Sequence, residues 1–380
     1  MPFSKLGLSA NLQKNIADQQ YNDIYPIQLE AIPSILKKKD ILGIAQTGSG
    51  KTASFVWPIL QLLQDEKPAK NRNILVLVLV PTRELAIQVN EVFQLFARGL
   101  ERPVKSMAVY GGVSINPQMI ALQGVEIVVA TPGRLLELVA SKALSFGELK
   151  VLVLDEADKM LNLGFQEEMK RIIDLLPKKR QNLLFSATLS PELANIQELI
   201  LNDPMIIKIA AEKENLDLIR QFAYLIPEEK KGPLLRYIIK TQEMKQVLVF
   251  VSSVIRADAV ADKLKKNGIT AFAIHSKKSQ GARVEALNSF KTGRITVLVA
   301  TDIMSRGIDI QFLPVVINYE LPRSPKDFIH RIGRTGRAES SGEVFSLISP
   351  VDEHHFKVIQ KKMGKVATQI DGNNLNLHGY

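Results

Sequence analysis

The string AQTGSGKT, residues 45–52, has the residue types and spacing of a loop that cradles a triphosphate. It follows the apolar run ILGIA (41–45) and precedes a helix-like stretch, the strand–loop–helix context that such a loop requires. Its glycines allow backbone N–H groups to close around phosphates, and the start of the following helix adds positive potential. We predict that Lys51 reaches the β- and γ-phosphates of ATP and that the Thr52 hydroxyl ligates Mg²⁺. The same loop supplies four further predicted contacts to ATP: Thr47, Gly48, Ser49 and Gly50.

A group of acidic residues follows another apolar run, in VLVLDEAD (151–158). Ligands of doubly wound sheets bind at the carboxyl ends of the strands, so Asp155 is placed to hold Mg²⁺ through water. Glu156 is then placed to orient and deprotonate the attacking water as a general base. Acidic residues are also common at helix starts, where they need no catalytic role. The preceding apolar strand and the triphosphate loop favour the catalytic interpretation.

The candidate site residues must be positioned by strands and helices, and the sequence shows short apolar runs that alternate with helix-like stretches. Near-continuous Val, Ile and Leu suit strands covered on both faces, and amphipathic stretches such as 195–201 and 257–265 suit crossover helices. The alternation predicts an α/β fold with parallel sheets, in two halves separated by the charged segment 211–221. The predicted strands are 41–45, 74–80, 126–130, 151–155, 182–186, 246–251, 271–275, 295–300, 315–319 and 344–348.

Length and composition narrow the class of protein. A chain of 380 residues with 46% hydrophobic residues is long enough for two domains with separate cores. The net charge of +10 is consistent with binding to nucleic acid, with binding to an acidic membrane or simply with solubility, and does not choose among them. The lack of cysteine excludes disulfides and thiolate metal sites. The longest apolar run, 74–80, is too short to span a bilayer, and the first residues do not read as a secretory signal. We therefore expect a cytoplasmic protein with no membrane contact.

Six strings occur in the order in which DEAD-box helicases carry them: AQTGSGKT, PTRELA (81–86), TPGR (131–134), DEAD (155–158), SAT (186–188) and HRIGRTGR (330–337). From about Phe3 to about Ile348 the chain resembles this family of ATP-dependent RNA helicases, and loosely its bacterial RhlE-type members. The resemblance implies two tandem RecA-like lobes, each a mostly parallel sheet flanked by helices. The expected division is an ATP-binding lobe at 1–210, a linker at 211–220, a helicase lobe at 221–368 and a polar tail at 369–380. From their polar composition, we expect residues 371–380 to be frayed.

Upstream of the triphosphate loop, YNDIYPIQ (21–28) resembles the element with which this family reads adenine. The amide of Gln28 can match the N6/N7 edge of the base, and Tyr21 stands where the family places a stacking aromatic. A half-buried surface tyrosine is the alternative interpretation of Tyr21. The chain departs from the family pattern at Ile24 and Tyr25, where Pro and Thr are usual.

The second half resembles the family's catalytic and coupling elements. The resemblance implies that Arg334 and Arg337 reach the γ-phosphate from the other lobe, where a guanidinium presents a planar fork to phosphate oxygens. Asp309 matches the position that contacts the ATP ribose. Without the motifs of the first half, HRIGRTGR would read as a solvated basic helix. The residues implied to couple the ATP state to RNA separation are Ser186, Thr188 and His330.

The RNA contacts implied by the resemblance lie at predicted strand-to-helix junctions, where backbone N–H groups, Thr hydroxyls and Arg side chains suit phosphates. Contacts of this kind address phosphate and sugar, so we expect binding of single-stranded RNA and short duplexes without sequence specificity. Preference for RNA through the 2′-OH is also implied by the family. The implied residues are Arg83, Gly112, Thr131, Gly133, Arg134, Gln280, Arg283 and Thr301.

These observations predict an RNA-stimulated ATPase that unwinds short RNA duplexes locally or remodels RNA–protein complexes, with ATP and Mg²⁺. An ATP-gated RNA clamp or chaperone with little unwinding is the alternative, since the same residues serve both. A DNA-translocating helicase of the same superfamily is disfavoured by the DEAD string and Gln28. A small-molecule kinase leaves HRIGRTGR unexplained.

Overall fold

The computed structural model describes residues 3–46, 48–209, 218–302, 313–335 and 341–380. The chain divides into two compact units, Met1–Ala211 and Glu212–Tyr380. Three residues expected in the active site lie outside the described residues, as does most of the expected linker: Thr47, Asp309 and Arg337.

The first unit is built on a parallel sheet in the order β3-β4-β2-β5-β6-β1-β7. Side chains of one strand alternate between two cores, because Val76 and Val78 of β2 face one side and Leu77 and Leu79 face the other. Both faces are therefore covered, which explains the continuous apolar runs. The strands are β1 Ile41–Ile44, β2 Val76–Leu79, β3 Ser106–Val109, β4 Ile127–Ala130, β5 Val151–Leu154, β6 Gln181–Ser186 and β7 Met205–Lys208.

Helices of the first unit connect the strands and cover the sheet, after a short 3₁₀ helix at Phe3–Leu6. Several begin at a Ser or Thr whose side chain accepts an N–H of the first turn, as Ser9, Thr82 and Ser190 do. The helices are α1 Ala10–Asp18, α2 Pro26–Leu36, α3 Lys51–Gln64, α4 Arg83–Ala97, α5 Ile115–Ala121, α6 Pro132–Ala140, α7 Ala157–Asn162, α8 Gln166–Leu175 and α9 Pro191–Ile200.

Two close contacts inside the first unit bear on the loop that follows β1. Gly43 pairs with Phe185 of β6, and a Cβ at position 43 would lie 2.6 Å from a ring carbon of Phe185. The fully buried Trp57 of α3 packs edge-on against Phe3, Tyr21 and Phe96, with ring centroids 5.4 to 5.8 Å apart. The absence of a side chain at Gly43 and this aromatic cluster together fix α3 and β6 beside the loop.

The second unit repeats the plan with a parallel sheet in the order β10-β11-β9-β12-β13-β8-β14. Its strands are β8 Ile219–Leu225, β9 Val247–Val251, β10 Ala271–Ile274, β11 Val297–Thr301, β12 Val315–Asn318, β13 Gly342–Ile348 and β14 Thr368–Asp371. Short 3₁₀ helices lie at Glu228–Lys230, Pro350–Asp352 and Gly372–Asn374. The α-helices among the described residues are α10 Lys231–Thr241, α11 Val254–Lys266, α12 Gln280–Lys291, α13 Pro325–Ile332 and α14 Glu353–Met363.

The ten strands predicted from apolar runs are confirmed as β1, β2, β4, β5, β6, β9, β10, β11, β12 and β13. The sequence did not indicate β3, β7, β8 or β14. Of these, β3, β7 and β14 lie at sheet edges, where they are covered less completely and mix polar with apolar residues. In the described residues, no helix is long and apolar enough to cross a membrane.

The expectation that residues 371–380 are frayed is wrong. Residues Thr368–Asp371 form β14, which pairs with β8, and Leu375 and Leu377 pack against the core. The ring of Tyr380 lies 5.2 Å from that of Tyr237, and Arg236 donates to the Tyr380 carbonyl at 2.7 Å. The apolar residues interspersed in this polar segment explain the difference, because they bury against the second unit.

Candidate active site

The loop between β1 and α3 is shaped by two glycines in the left-handed region, Gly48 at φ +87° and Gly50 at φ +85°. Gly50 precedes Lys51, the first residue of α3, so backbone N–H groups at the start of that helix lie in the loop. Ser49 turns inward, and its hydroxyl donates to the Gln46 carbonyl at 2.8 Å. The loop therefore offers the backbone geometry that anion binding requires.

Lys51 is buried at this loop, with 6% of its surface exposed. Its Nζ donates to the Ala45 carbonyl at 2.6 Å, so the ammonium is held by the loop's own backbone. Burial lowers the pKa of Lys51, while the carboxylates of Asp155 and Glu156 act in the opposite direction. Both carboxylates are thus close enough to act on the lysine, and the site brings together the three residues that the two motifs predicted.

Asp155 follows β5 and is 2% exposed. Burial raises the pKa of Asp155 from its usual 3.8 to about 6, while the nearby charge of Lys51 lowers it. Its Oδ1 accepts the backbone N–H of Glu156 at 2.9 Å. A buried carboxylate with so little hydrogen bonding is a group that a cation would stabilise.

Glu156 lies in an uncommon backbone conformation for a residue with a side chain, at φ 53° and ψ 45°, where α7 begins. Its Oε1 lies 2.6 Å from Nζ of Lys159, one turn further along the helix. Its Oε2 is buried and accepts no hydrogen bond from the described residues. One oxygen is therefore fixed by an ion pair, and the other is available to a proton donor.

The donor set fits a magnesium ion that completes its shell with phosphate oxygens and water. The described residues contain no group of three or more His, Asp or Glu arranged to hold a metal by themselves. Thr52, the second residue of α3, is half-buried and has a hydroxyl near Lys51, while Asp155 supplies a buried carboxylate. Mg²⁺ is usually bound in this way, by one or two protein oxygens together with substrate phosphates.

Gln28 joins the element at 21–28 to the triphosphate loop. It is 1% exposed, its Oε1 accepts the Tyr25 N–H at 3.0 Å and its Nε2 donates to the Gly50 carbonyl at 3.3 Å. The ring of Tyr25 also contacts the loop, since a Cβ on Gly50 would lie 3.0 Å from it. Each end of the Gln28 amide retains one further hydrogen-bonding position, which leaves the expected contact to adenine open to it.

Tyr21 lies in the aromatic cluster around Trp57. Its ring is half-buried and packs edge-on against Trp57 and Phe96, at 5.4 and 5.6 Å. The alternative interpretation, a half-buried surface tyrosine, agrees with this burial and leaves the stacking role untested. Stacking on adenine stays a prediction.

The SAT string connects β6 to the DEAD string. The Thr188 hydroxyl donates to Oδ2 of Asp158 at 2.9 Å, and the fully buried Ser186 hydroxyl donates to the Thr188 carbonyl at 2.8 Å. Sequence reasoning did not single out Asp158, which forms the link. Through this contact, Ser186 and Thr188 are connected to Asp158, which lies two residues after Glu156 in the DEAD string.

A second group of predicted residues meets at the carboxyl ends of β2, β3 and β4. The Arg83 guanidinium lies against Gly112, where a Cβ would come within 2.0 Å of it, and Gly112 has φ +78°. Arg134 donates to the Val113 carbonyl at 2.7 Å and to Glu137 at 2.8 Å. The structure thus brings together Arg83, Gly112 and Arg134, which are far apart in the sequence.

Thr131 and Gly133 complete this edge of the first unit. Thr131 is buried at the N-cap of α6, and its side chain does not cap the helix. A Cβ on Gly133 would meet no atom of the described residues within 4 Å, so there is open space beside the helix start at that position. A helix start with open space, beside two arginines, suits a phosphate.

In the second unit the predicted RNA-binding residues lie at the start of α12 and at the end of β11. Gln280 and Arg283 are buried in the first turn of α12, which Ser279 caps through its hydroxyl. Thr301 is the last residue of β11 and is also buried.

Residues 330–335 of the string HRIGRTGR form the end of α13 and the turn after it, while residues 336 and 337 lie outside the described residues. Arg331, which was not predicted to bind a ligand, is 1% exposed; it donates to Asp302 at 2.8 Å and to the Glu320 carbonyl at 2.6 Å. Its guanidinium also lies 4.9 Å from the Phe250 ring centroid. His330 is exposed, and Arg334 is buried, with its carbonyl bonded to Leu313 N at 3.0 Å. Neighbouring residues of this segment therefore differ in burial: Arg331 is a buried anchor inside the unit, whereas the His330 side chain is exposed.

The structure gives contacts at the site to Tyr25, Asp158, Lys159, Asp302 and Arg331, none of which was predicted from the sequence as a site residue. Only the pair Glu156 and Lys159 carried a signal that could have been used, namely opposite charges three residues apart at a helix start. The others depend on contacts between segments that are distant in the chain.

Comparisons with known proteins agree with the geometry. Residues 25–196 match a family model described as DEAD/DEAH box helicase, and residues 229–339 match one described as helicase conserved C-terminal domain. The DEAD-box ATP-dependent RNA helicase CshA of Bacillus cereus is 37% identical over 98% of this chain and 70% of its own length. The ATP-dependent RNA helicase CshA of Limosilactobacillus reuteri is 39% identical over 95% of this chain and 72% of its own length.

Solved structures give the same picture. S. cerevisiae Dbp5 bound to RNA and ADP BeF₃ has a TM-score of 0.82 and 29% identity, over 97% of this chain and 95% of its own. A DEAD box protein from Methanococcus jannaschii has a TM-score of 0.54 and 36% identity, over 98% of this chain and 99% of its own.

Proposed function

This chain belongs to the DEAD-box family of ATP-dependent RNA helicases, and on that premise we propose that it unwinds short RNA duplexes locally, or remodels RNA–protein complexes, in the cytoplasm. The observation that carries the proposal is the arrangement of Glu156, whose Oε2 is buried without a bond in the described residues, beside Lys51 and Asp155. A carboxylate in this state is suited to accept a proton from a water molecule.

The residues of the first unit have separate parts in hydrolysis. Lys51 exchanges its bond to the Ala45 carbonyl for the β- and γ-phosphates of ATP, which the loop N–H groups also hold. Thr52 and Asp155 are the residues that would hold Mg²⁺, which supplies positive charge to the phosphates when bound. Glu156 accepts the proton of the attacking water through Oε2, while Lys159 keeps the carboxylate oriented through Oε1.

Adenine recognition follows from Gln28 and Tyr21. Gln28 uses its remaining donor and acceptor positions on the base, and its bond to the Gly50 carbonyl connects that contact to the phosphate loop. Tyr21 stacks on the base, and the aromatic cluster around Trp57 supports its ring. Thr47, Gly48, Ser49 and Gly50 surround the phosphates, and Asp309 contacts the ribose.

Arginines of the second unit complete catalysis in the RNA-bound state. Arg334 and Arg337 direct guanidinium groups at the γ-phosphate, where charge develops during transfer. Because they belong to the other unit, hydrolysis depends on a closed state that RNA favours. Ser186 and Thr188, through the bond from Thr188 to Asp158, and His330 in the second unit transmit that state.

RNA is held through phosphate and sugar at two sets of helix starts. The first set is Arg83, Gly112, Thr131, Gly133 and Arg134, and the second is Gln280, Arg283 and Thr301. Since these groups face no base edge in this scheme, single-stranded RNA and short duplexes bind without sequence preference.

The decisive experiment is ATP hydrolysis with and without single-stranded RNA across a salt titration. Hydrolysis should rise with RNA, and the RNA needed for half-stimulation should rise steeply with salt, because phosphate contacts dominate binding. Equal stimulation by single-stranded DNA would favour the DNA-translocating alternative. Separation of a short duplex distinguishes unwinding from the clamp, which would retain RNA with a non-hydrolysable ATP analogue but leave the duplex intact.

A further inference from the structure

The parallel sheet of the first unit has two ends, and only one of them carries the family motifs. All its strands run in the same direction, so the loops that enter them lie together at the amino ends, opposite the phosphate loop and the DEAD string. Four of these loops precede strands that are neighbours in the order β2-β5-β6-β1. We call them the basic edge: 65–75, 141–150, 176–180 and 37–40.

The basic edge concentrates positive charge. Its loops contain eleven Lys and Arg residues against four Asp and Glu, whereas the net charge of the whole chain is +10. No Lys or Arg lies in the loops that leave β1, β2, β5 and β6 at the opposite end, before the following helices begin. The cations are Lys37, Lys38, Lys39, Lys67, Lys70, Arg72, Lys142, Lys150, Lys178, Lys179 and Arg180.

Neighbouring acidic side chains neutralise little of this positive charge. Ten of the eleven cations are exposed, and among the described residues the only ion pair that they form is the long one between Lys150 and Glu66, at 3.9 Å. Asp40 is buried and accepts N–H groups of Asn182 and Asn202. Glu148 accepts the backbone N–H of Lys70 and the Asn73 amide. Neither acid forms an ion pair among the described residues, although the charge of Asp40 acts on Arg180.

A groove of about 820 Å³ opens between three of these loops. Its walls are held by backbone pairing, because Ile74 N donates to the Ser145 carbonyl at 3.1 Å and Ser145 N donates to the Arg72 carbonyl at 2.8 Å. The Arg72 guanidinium also donates to the Lys142 carbonyl at 2.6 Å, and both residues line the groove. Arg72 and Lys142 are therefore the two cations of the basic edge that line this preformed groove, and the other cations lie on the loops of the same edge.

We propose that the basic edge is a second RNA-binding surface, which holds the phosphodiester backbone without requiring ATP. Exposed Lys and Arg with adjacent Asn amides are the groups that contact phosphate independently of sequence. The choice of RNA as the polyanion rests on the proposed function. A lipid surface fits less well, because Leu175 is the only large apolar side chain among the described residues at the groove that is markedly exposed.

The two ends of the sheet act independently. A four-residue strand such as β5 spans about 13 Å, at roughly 3.3 Å per residue. The exposed cations of the basic edge are also surrounded by salt solution, which screens their charge over about 8 Å at physiological ionic strength. Charge at the basic edge therefore retains RNA near the protein without changing the chemistry at Glu156.

The test replaces Lys178 and Lys179 by Glu and measures equilibrium binding of a labelled single-stranded RNA without nucleotide, across a salt titration. The dissociation constant should rise about tenfold. The slope of log affinity against log salt should become shallower by about 1.4, since each lost phosphate contact removes roughly 0.7 for a single strand. The turnover number for ATP at saturating RNA should not change.

The matched control replaces Lys263 and Lys266, exposed on α11 of the second unit, by Glu. It changes the net charge equally and should leave RNA affinity and slope as in the wild type. If Lys178→Glu with Lys179→Glu does not fold, Lys38→Glu with Lys39→Glu tests the same surface. Unchanged RNA binding in the folded variant, or equal losses in variant and control, would overturn the proposal.

Two further measurements distinguish RNA binding at the basic edge from membrane binding there, and distinguish failure of this proposal from failure of the proposed function. Loss of binding to phosphatidylglycerol vesicles with intact RNA binding would assign the basic edge to a membrane and overturn the RNA proposal. A wild-type protein whose ATPase does not respond to RNA would refute the proposed function. Nucleotide-free RNA binding that depends on Lys178 and Lys179 would still support the basic edge.

Discussion

Lys159 Nζ lies 2.6 Å from Oε1 of Glu156 and leaves Oε2 of that carboxylate without a hydrogen bond from the described residues. A carboxylate that is fixed through one oxygen has a defined direction for the other. The ion pair therefore makes Lys159 a positioning residue for the general base, although it needs no contact with the substrate.

Replacing Lys159 by Met should lower the turnover number for ATP about tenfold, because the Glu156 carboxylate then samples orientations that do not face the water. The Michaelis constant for ATP should stay within about twofold, since Lys51 and the loop bind the phosphates. Steady-state kinetics with saturating RNA gives both quantities. Lys159→Arg retains the cation and should recover most of the rate; failure of this rescue would contradict the positioning role.

Replacing Glu156 by Gln should abolish most turnover while the protein still binds ATP and RNA. The Gln oxygen can accept a hydrogen bond from Lys159, but a neutral amide cannot take the proton from water. General-base catalysis typically contributes 10²- to 10⁴-fold, so we expect a loss of at least about 10²-fold. Single-turnover hydrolysis and equilibrium RNA binding measure the two effects, and near-normal turnover would exclude Glu156 as the base.

Asp155 should make the metal-free protein less stable as the pH rises from about 4 to about 6. Burial raises its folded-state pKa to about 6, from 3.8, so over this range the folded state retains a proton that the unfolded state has lost. Asp155→Asn removes this dependence, and its stability relative to wild type should increase by roughly 3 kcal/mol across the window, about 1.4 kcal/mol per pKa unit. Urea unfolding in EDTA, followed by Trp57 fluorescence, measures the difference. Parallel pH profiles for the two proteins would refute the prediction.

Replacing Gly112 by Ala should weaken RNA binding about three- to tenfold by displacing the Arg83 guanidinium, which lies where the new methyl group must go. Gly124→Ala is the matched control, because Gly124 has a similar φ of +70° but open space around a Cβ. Both variants share the backbone strain of about 1–2 kcal/mol, and only Gly112→Ala moves an arginine. RNA affinity with a non-hydrolysable ATP analogue distinguishes them; equal losses would assign the effect to strain.

Replacing Arg331 by Met should destabilise the second unit by about 3 kcal/mol or more, since it leaves Asp302 without its guanidinium partner and opens the site under Phe250. Lys263→Met, at an exposed position of α11, is the control. Circular dichroism during urea unfolding measures the change, because Trp57 reports on the first unit. A stable variant with selectively lost ATPase would instead indicate that Arg331 acts on the nucleotide.

The central strands could be predicted from the sequence because they are buried on both faces. Runs such as that of β2 contain almost no polar residues, and no other arrangement would cover them. The edge strand β7 exposes alternate residues, and β14 exposes most of its surface, so each resembles a surface segment in the sequence. Their pairing depends on β1 and β8, which lie far away in the chain.

The local parts of the site were also accessible from the sequence. Lys51 and Asp155 each belong to a short motif that directly follows an apolar run, a pattern that predicts a strand followed by a loop. The contacts of Tyr25 with Gly50 and of Thr188 with Asp158 could not be predicted, because they arise only when separate strands pair side by side.

The contact between Gly43 and Phe185 limits how this sequence can drift over evolutionary time. The benzyl group occupies the volume that any larger residue at 43 would need, so neither position can be exchanged alone without loss of fit. A lineage that gains a methyl group at 43 must first accept a smaller residue at 185. The two sites, 142 positions apart in the chain, should therefore covary among descendants of this protein.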